Sequence, residues 1–224
     1  MANGATSART LTLYTYWRSS ASHRVRLALG FKGLSYEPVF VNLLKGEQRA
    51  DGYREKNPIG HLPCLVVDGV KYLESTAIIE LLEDLYPTPT LYPGDPGDRA
   101  RVRALMQFVN SGIQPLQNLV VLDRIGDDKE ARLDWLRHWI SRGLSAWDKL
   151  ASSYRAEGFV KSGDFAYGES FTAADALLIP QIYTARRFGI ELDAYPTIVR
   201  VDAATKDLAF VKAAYPDAQP DAAA

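Results

Sequence analysis

Residues 14–29 read YTYWRSSASHRVRLAL, and this stretch decides the fold. The residues up to Trp17 are aromatic or β-branched and predict a short β-strand, whereas the mostly apolar residues from Val25 onwards predict a helix. The junction between them carries hydroxyl groups at Ser19, Ser20 and Ser22. Free backbone N–H groups and the positive end of the helix dipole favour a negative charge at such a helix start. We therefore predict an anion site such as a thiolate site here, with simple capping of the helix as the alternative.

Composition limits the classes of protein to which this chain can belong. With 224 residues and a formal net charge of −1, the chain is long enough for one large domain or two modest ones and has no charge pattern typical of nucleic-acid or membrane binding. No apolar run approaches the ~18 residues of a membrane span. The first ten residues, MANGATSART, lack an apolar core and predict a loose tail rather than a signal peptide. The single cysteine, Cys64, excludes an internal disulfide and a cysteine-rich metal site, so we expect no metal and a reducing, cytoplasmic location.

The first third of the chain alternates between strand and helix patterns. An Asp-Gly pair between two β-rich runs predicts a hairpin, and Ser75 is the predicted N-cap of the helix that follows it. The predicted elements are strands near 10–16 and 36–41, a helix near 20–32, hairpin strands at Leu62–Val67 and Val70–Leu73, and a helix at 75–85. The proline-rich residues 86–96 cannot continue that helix and are the predicted linker.

After the linker the pattern is helical. Thr172 and Asp175 form a variant of the capping box at the start of one helix. The predicted helices are 99 to about 122, 129 to about 154, 172–188, and a short helix after Tyr195-Pro196. The last residues, PDAQPDAAA, should fray.

Five motifs along the chain resemble those of one protein family. SSASHRVRLAL (19–29) is similar to a motif of two serines, cysteine, serine, any residue and arginine, and it is joined by NPIGHLPCL (57–65), ESTAIIELLE (74–83), IQPLQN (113–118) and RRFGIELDAYPTI (186–198). Together they resemble the zeta-class glutathione transferases over nearly the whole chain. The resemblance implies an α/β plus all-α fold: a thioredoxin-like glutathione-binding domain at 10–86 and a C-terminal helical bundle at 97–216.

That family includes maleylacetoacetate isomerase of tyrosine breakdown and the maleylpyruvate isomerases. The resemblance therefore implies a cytosolic, glutathione-dependent cis–trans isomerase of an unsaturated keto diacid, most directly maleylacetoacetate to fumarylacetoacetate, by reversible thiolate addition. It also implies a homodimer, and we expect the helix that holds Gln114 and Asn118 to run along its two-fold axis. Three alternatives stay open: a maleylpyruvate isomerase, a general glutathione transferase acting on aromatics, and a non-catalytic protein that kept the fold for partner binding.

The glutathione site follows residue by residue from the motifs. Ser20 aligns with the serine that donates to the sulfur, and Ser19 lies beside it. Pro63 matches the cis-proline of the fold, so the backbone of Leu62 should hold the cysteinyl part as an added strand would. The remaining predicted contacts are His61, which shapes the site, Glu74 for the γ-glutamyl ammonium, Ser75 for its carboxylate, and Gln114 with Asn118 on one helical face. The alternative role of Ser75 is capping of the helix. The alternative for Gln114 and Asn118 is that they belong to a polar interface or to the helix surface.

Arg18 and Arg187 match positions linked to the substrate carboxylates. The arginine fork is permanently charged and binds carboxylates in a bidentate manner, although a surface arginine is otherwise usually only solvated. Two departures from the family pattern matter. Ala21 stands in place of the motif cysteine, and Glu74 replaces a glutamine. Isomerisation uses only the glutathione thiol and should survive both changes. His23, on the first helix, is expected to be exposed or to lie behind the site.

Overall fold

A computed structural model describes residues 9–223 of the chain. Most of the predicted N-terminal tail therefore lies outside the described residues. The described start of the chain is held in place, since Arg9 donates to the Asp68 carboxylate at 2.7 Å and the amide of Thr10 donates to its other oxygen at 3.0 Å. None of the helices in the described range is long and apolar enough to cross a bilayer.

A four-stranded mixed sheet forms the first part of the fold. Its strands lie in the order β2-β1-β3-β4, with β1 parallel to β2 and antiparallel to β3, as in a thioredoxin-like domain. The elements are β1 (Leu11–Thr15), α1 (Ser20–Phe31), β2 (Glu37–Phe40), α2 (Asp51–Arg54), β3 (Cys64–Val67), β4 (Val70–Leu73) and α3 (Ser75–Leu85). The predicted Asp-Gly hairpin is confirmed: Asp68 and Gly69 have φ values of 49° and 83°, as a tight turn between twisted strands requires.

The second part of the fold is helical. Its elements are α4 (Pro96–Asn110), α5 (Leu119–Ile125), α6 (Lys129–Ala156), α7 (Ala173–Arg187), α8 (Pro196–Thr205) and α9 (Ala209–Ala214). The capping box at α7 is confirmed, because the Asp175 carboxylate accepts from the amide and hydroxyl of Thr172 at 2.8 and 2.7 Å. Helix α1 packs against α3 of the sheet region and against α7 and α9. One hydrophobic core therefore includes residues of both parts, such as Leu13 and Leu177.

The linker between the two parts is tied down by a buried ion pair. Lys32 donates to Glu83 at 2.8 Å and to the carbonyl oxygens of Tyr86 and Pro89 at 2.6 and 2.9 Å. Glu83 also accepts from the amide of Leu91 at 2.9 Å. A charged pair can be buried at low cost when hydrogen bonds satisfy its remaining atoms, as they do here.

The long helix predicted from 99 to about 122 is wrong, since α4 ends at Asn110 and α5 begins only at Leu119. Pro115 has no N–H to donate, and a Cβ on Gly112 would lie 2.6 Å from the Phe108 carbonyl oxygen. Gln114–Gln117 form a 3₁₀ turn instead, and Asn118 occupies the N-cap position of α5 without a capping hydrogen bond from its side chain. Gln114 and Asn118 therefore do not share an α-helical face, although the Gln114 amide donates to the Asn118 oxygen at 2.7 Å.

Residues 215–223, here called the C-terminal segment, correct two further expectations. The predicted fraying is wrong, because the segment forms 3₁₀ turns at Pro216–Ala218 and Pro220–Ala223. The ring of Tyr215 packs edge-on to His23, with 5.9 Å between the ring centroids. His23 is consequently 1% exposed, so of its two predicted placements the exposed one is wrong. Neither ring nitrogen has a hydrogen-bond partner among residues 9–223.

Candidate active site

The Tyr16–Ser19 turn joins β1 to α1 and lies at the centre of the site. The amide of Ser19 donates to the carbonyl oxygen of Tyr16 at 3.0 Å and closes the turn. Ser19 is also the N-cap of α1, since its Oγ accepts from the amide of Ser22 at 3.2 Å. The helix begins at Ser20, so its positive end opens beside both hydroxyl groups.

A first cavity of about 190 Å³ lies on one side of Ser19. Its walls come from the start of α1, the loop before β3, the start of α3 and the break between α4 and α5. The predicted site residues that line it are Ser19, His61, Leu62, Pro63, Glu74, Ser75, Gln114 and Asn118. The bond from Leu62 to Pro63 is cis, as predicted. The loop is held from behind, because Tyr53 and Asn57 donate to the carbonyl oxygen of His61 at 2.7 and 2.8 Å.

The start of α3 differs from prediction in one respect. Glu74, not Ser75, occupies the N-cap position, and its backbone has a φ of 65°. Ser75 is the first helical residue, and its Oγ accepts from Nη1 of Arg24 at 3.0 Å. Both Glu74 and Ser75 still face the first cavity. The N-cap position predicted for Ser75 therefore belongs to Glu74, whose side chain makes no capping hydrogen bond.

Arg24 is a buried, charged residue of this cavity that the sequence analysis did not name. Its side chain is buried and donates to Asn110 at 2.7 Å as well as to Ser75, while Nε has no partner among the described residues. Burial lowers the pKa of Arg24 to about 10, against the opposing effect of Glu74. The signal was present, because Arg24 is the arginine that ends the serine motif. A buried cation beside a hydroxyl and a helix N-terminus suits a carboxylate of a bound ligand.

A second cavity of about 170 Å³ adjoins the first. Ser19, Gln114 and Asn118 line both cavities, whereas Ser20, Arg18 and Arg187 line only the second. Neither arginine pairs with a carboxylate in the described part of the chain. Burial lowers the pKa of Arg187, and the charge of Arg18 adds to this shift. Two guanidinium groups that repel one another favour a dianion between them.

Every predicted site residue thus lines one of two adjoining cavities. The single cysteine does not line either cavity: Cys64 is fully buried, and burial raises the pKa of its thiol. A thiol nucleophile would therefore have to come from a ligand. The first cavity offers polar groups and the charges of Arg24, Arg49, Arg54 and Glu74, which suit a small charged peptide. The second offers the two cations of Arg18 and Arg187, and the hydroxyls at the α1 N-terminus lie where the two cavities meet.

Comparisons with known proteins agree with this arrangement. Residues 13–90 match the family model of the glutathione S-transferase N-terminal domain. The chain is 42% identical over 218 residues to maleylacetoacetate isomerase of Pseudomonas aeruginosa, covering 94% of this chain and 98% of that protein. A maleylpyruvate isomerase described as a bacterial zeta-class glutathione transferase has a holo structure with a TM-score of 0.89 at 41% identity, over 94% of this chain and 99% of that one. A glutathione-bound maleylacetoacetate isomerase from Anaeromyxobacter dehalogenans has a TM-score of 0.85 at 45% identity, covering 96% of this chain and 99% of that one.

Proposed function

This chain belongs to the zeta-class glutathione transferases, and from that membership we propose that it is a glutathione-dependent cis–trans isomerase of an unsaturated keto diacid. Maleylacetoacetate is the first candidate substrate, which would place the enzyme in aromatic amino acid breakdown, and maleylpyruvate is a close second. The observation that carries the proposal is the pair of cavities that meet at Ser19, one of them facing two arginines without carboxylate partners in the described chain. A general transferase acting on aromatics would have little use for two such cations.

The first cavity fits glutathione by the chemistry of its donors and acceptors. We assign the backbone of Leu62 to the cysteinyl unit, by the strand-like pairing that holds extended peptides. Ser75, with the N-terminus of α3 and the buried charge of Arg24, would bind the γ-glutamyl carboxylate, and Glu74 would bind its ammonium group. His61, Gln114 and Asn118 complete the walls.

Bound glutathione supplies a thiolate that adds to the electron-poor double bond, permits rotation about the resulting single bond, and is expelled. Ser20 is our leading donor to the sulfur, with Ser19 as the alternative because it lines both cavities. A hydroxyl donor and the start of α1 both stabilise negative charge on sulfur and so lower the thiol pKa. Arg18 and Arg187 would hold the carboxylates, which keep their charge throughout the reaction.

The deciding experiment is an assay of the purified protein with maleylacetoacetate and maleylpyruvate. We expect cis-to-trans conversion that requires glutathione in less than stoichiometric amount and returns it unchanged. Consumption of glutathione with an aromatic electrophile, without conversion of either diacid, would identify a general transferase instead. Retention on immobilised glutathione without any turnover would favour the partner-binding alternative.

We further propose a cytoplasmic homodimer. An exposed groove between α4 and α6 supports this proposal, since a second copy would cover its small and apolar lining residues. These are Ala104, Phe108, Gly112, Gly143 and Ala146, and the polar Gln107, Ser111 and Arg142 complete the lining. Sedimentation should give about twice the chain mass of 24.8 kDa. The buried, unpaired Cys64 suits a reducing compartment. A monomer at micromolar concentration would contradict the dimer.

A further inference from the structure

The Tyr16–Ser19 turn is held from outside by two charged side chains. The amide of Trp17 donates to Oδ2 of Asp221 at 2.8 Å, and the carbonyl oxygen of Trp17 accepts from Nη2 of Arg26 at 2.9 Å. The peptide groups before and after Trp17 are therefore both fixed. The second of these peptide groups leads directly into Arg18, whose side chain lines the second cavity.

Arg26 and Asp221 reach the turn from opposite ends of the chain. Arg26 is 2% exposed, and it also donates to the carbonyl oxygens of Tyr16 at 3.3 Å and Ala214 at 3.1 Å. Burial lowers the pKa of Arg26 to about 10, while Tyr36 and the Asp221 carboxylate oppose that shift. Asp221 thus accepts the Trp17 amide and also supplies negative charge near a buried cation.

The C-terminal segment has anchors that do not involve Asp221. The Tyr183 hydroxyl donates to Asp217 at 3.2 Å, and the rings of Tyr183 and Tyr215 pack edge-on with 5.3 Å between their centroids. Gln219 donates to the carbonyl oxygens of Ala213 and Tyr215 at 2.8 and 2.9 Å. Loss of the Asp221 side chain alone should therefore leave the segment in place.

We propose that Asp221 is a positioning residue for the second cavity, which holds the Trp17 amide so that Arg18 faces the substrate. The proposal rests on the proposed function only in taking Arg18 as a contact for a substrate carboxylate. Without Asp221 the half-buried Trp17 amide loses its protein acceptor, so a rotation of the turn that exposes this amide to water becomes more favourable. A displacement of about 1 Å in a group that binds the substrate is enough to weaken its action strongly.

The first test measures the turn without any ligand or activity. In hydrogen exchange, the peptide that contains Trp17 should exchange faster in Asp221→Ala than in wild type. Asp221→Asn keeps an oxygen acceptor and should restore most of the protection. Asp217→Asn is the matched control, because it removes a carboxylate charge from the same segment but keeps an oxygen that can accept from Tyr183, and it should exchange like wild type. Equal exchange in wild type and Asp221→Ala would overturn the proposal, and so would an Asp221→Asn variant no better protected than Asp221→Ala.

The second test asks whether Asp221 acts through Arg18. We expect Asp221→Ala to raise the KM for the diacid about tenfold, the size of one lost charge-assisted hydrogen bond, with the KM for glutathione unchanged. In an Arg18→Ala background the same change should have almost no further effect. Independent effects of the two substitutions, or equal changes in both KM values, would overturn the positioning role. If the wild type isomerises neither diacid, the proposed function fails, and the exchange experiment alone decides on Asp221.

Discussion

Arg187→Ala should raise the KM for the diacid while leaving kcat and the KM for glutathione close to wild type. Arg187 lines the second cavity beside Arg18 and makes no ion pair with a described carboxylate. A substrate carboxylate would therefore be its partner. That carboxylate carries its charge before, during and after isomerisation, so the Arg187 contact stabilises the ground state and the transition state alike. Its loss should therefore affect mainly KM.

The magnitude follows from the kind of contact. A hydrogen bond to a charged group contributes about 1.5–3 kcal/mol, which corresponds to a KM increase of roughly 10- to 150-fold. Because Arg18 remains to hold the substrate, we expect the lower end of that range. The free energy of unfolding should change by less than about 1 kcal/mol. The variant loses a cation–π contact to the Phe188 ring at 4.9 Å but is relieved of the repulsion from Arg18.

The neighbouring arginine provides the control. Arg186 makes a two-fold ion pair with Asp202 at 3.0 and 2.6 Å and lines neither cavity. Arg186→Ala should lose at most about 1 kcal/mol of stability and keep the wild-type KM. Steady-state kinetics and urea denaturation of both variants give the comparison. The reasoning fails if Arg186→Ala raises the KM for the diacid as much as Arg187→Ala does, or if Arg187→Ala lowers kcat at unchanged KM.

Three further outcomes are expected. Ser20→Ala should lower kcat about tenfold or more with glutathione still bound, and ultraviolet titration should show a raised pKa of the bound thiol. An unchanged kcat and thiol pKa would indicate that Ser19 donates to the sulfur instead. Lys32→Met should lower the free energy of unfolding by about 3–5 kcal/mol, measured by urea denaturation, because it leaves Glu83 buried without its cation. Adding Glu83→Leu should recover part of that loss. A loss below about 1 kcal/mol for Lys32→Met would contradict this prediction. Burial lowers the pKa of His23 well below 6.5, so the unfolded chain binds the proton more readily, and stability should fall as pH drops below 6.5, by up to about 1.4 kcal/mol per pH unit. His23→Phe should remove that slope, whereas His138→Gln, at an exposed position, should keep it.

The local elements of the fold could be predicted because their signals are local. The bounds of the helix Ser75–Leu85 and the Asp-Gly hairpin follow from turn residues and periodicity. The break after Asn110 was missed although Gly112 and Pro115 mark it, because the helical pattern resumes beyond it. The break is fixed by a contact between residues distant in sequence. Ile113 packs so closely on Gly143 of α6 that a Cβ added to Gly143 would lie 2.3 Å from the Ile113 side chain.

In the candidate site, too, residues marked by local sequence signals could be predicted, whereas residues that depend on distant contacts could not. Most of the predicted residues lie at the starts of helices or beside a proline, where the backbone itself indicates a special role, whereas Arg187 is the last residue of α7. Arg24 was missed because a charged residue on a helix is usually solvated, and its burial arises only where α1, α3 and α4 meet. His23 and Asp221 depend on the chain end returning to the first turn. No local pattern encodes such a contact.

Position 74 illustrates a conflict between protein stability and the proposed binding of the ligand. A left-handed backbone at a residue other than glycine costs about 1 kcal/mol or more, and Glu74 adopts it at a φ of 65°. Glycine would relieve that cost but would remove the only carboxylate among the residues that line the first cavity. Selection for thermal stability alone should therefore favour glycine at position 74. The resulting protein would be more stable, but it would bind glutathione more weakly if Glu74 contacts the ammonium group as proposed. If Glu74 binds the γ-glutamyl ammonium as proposed, the left-handed backbone at this residue is a stability cost that accompanies ligand binding.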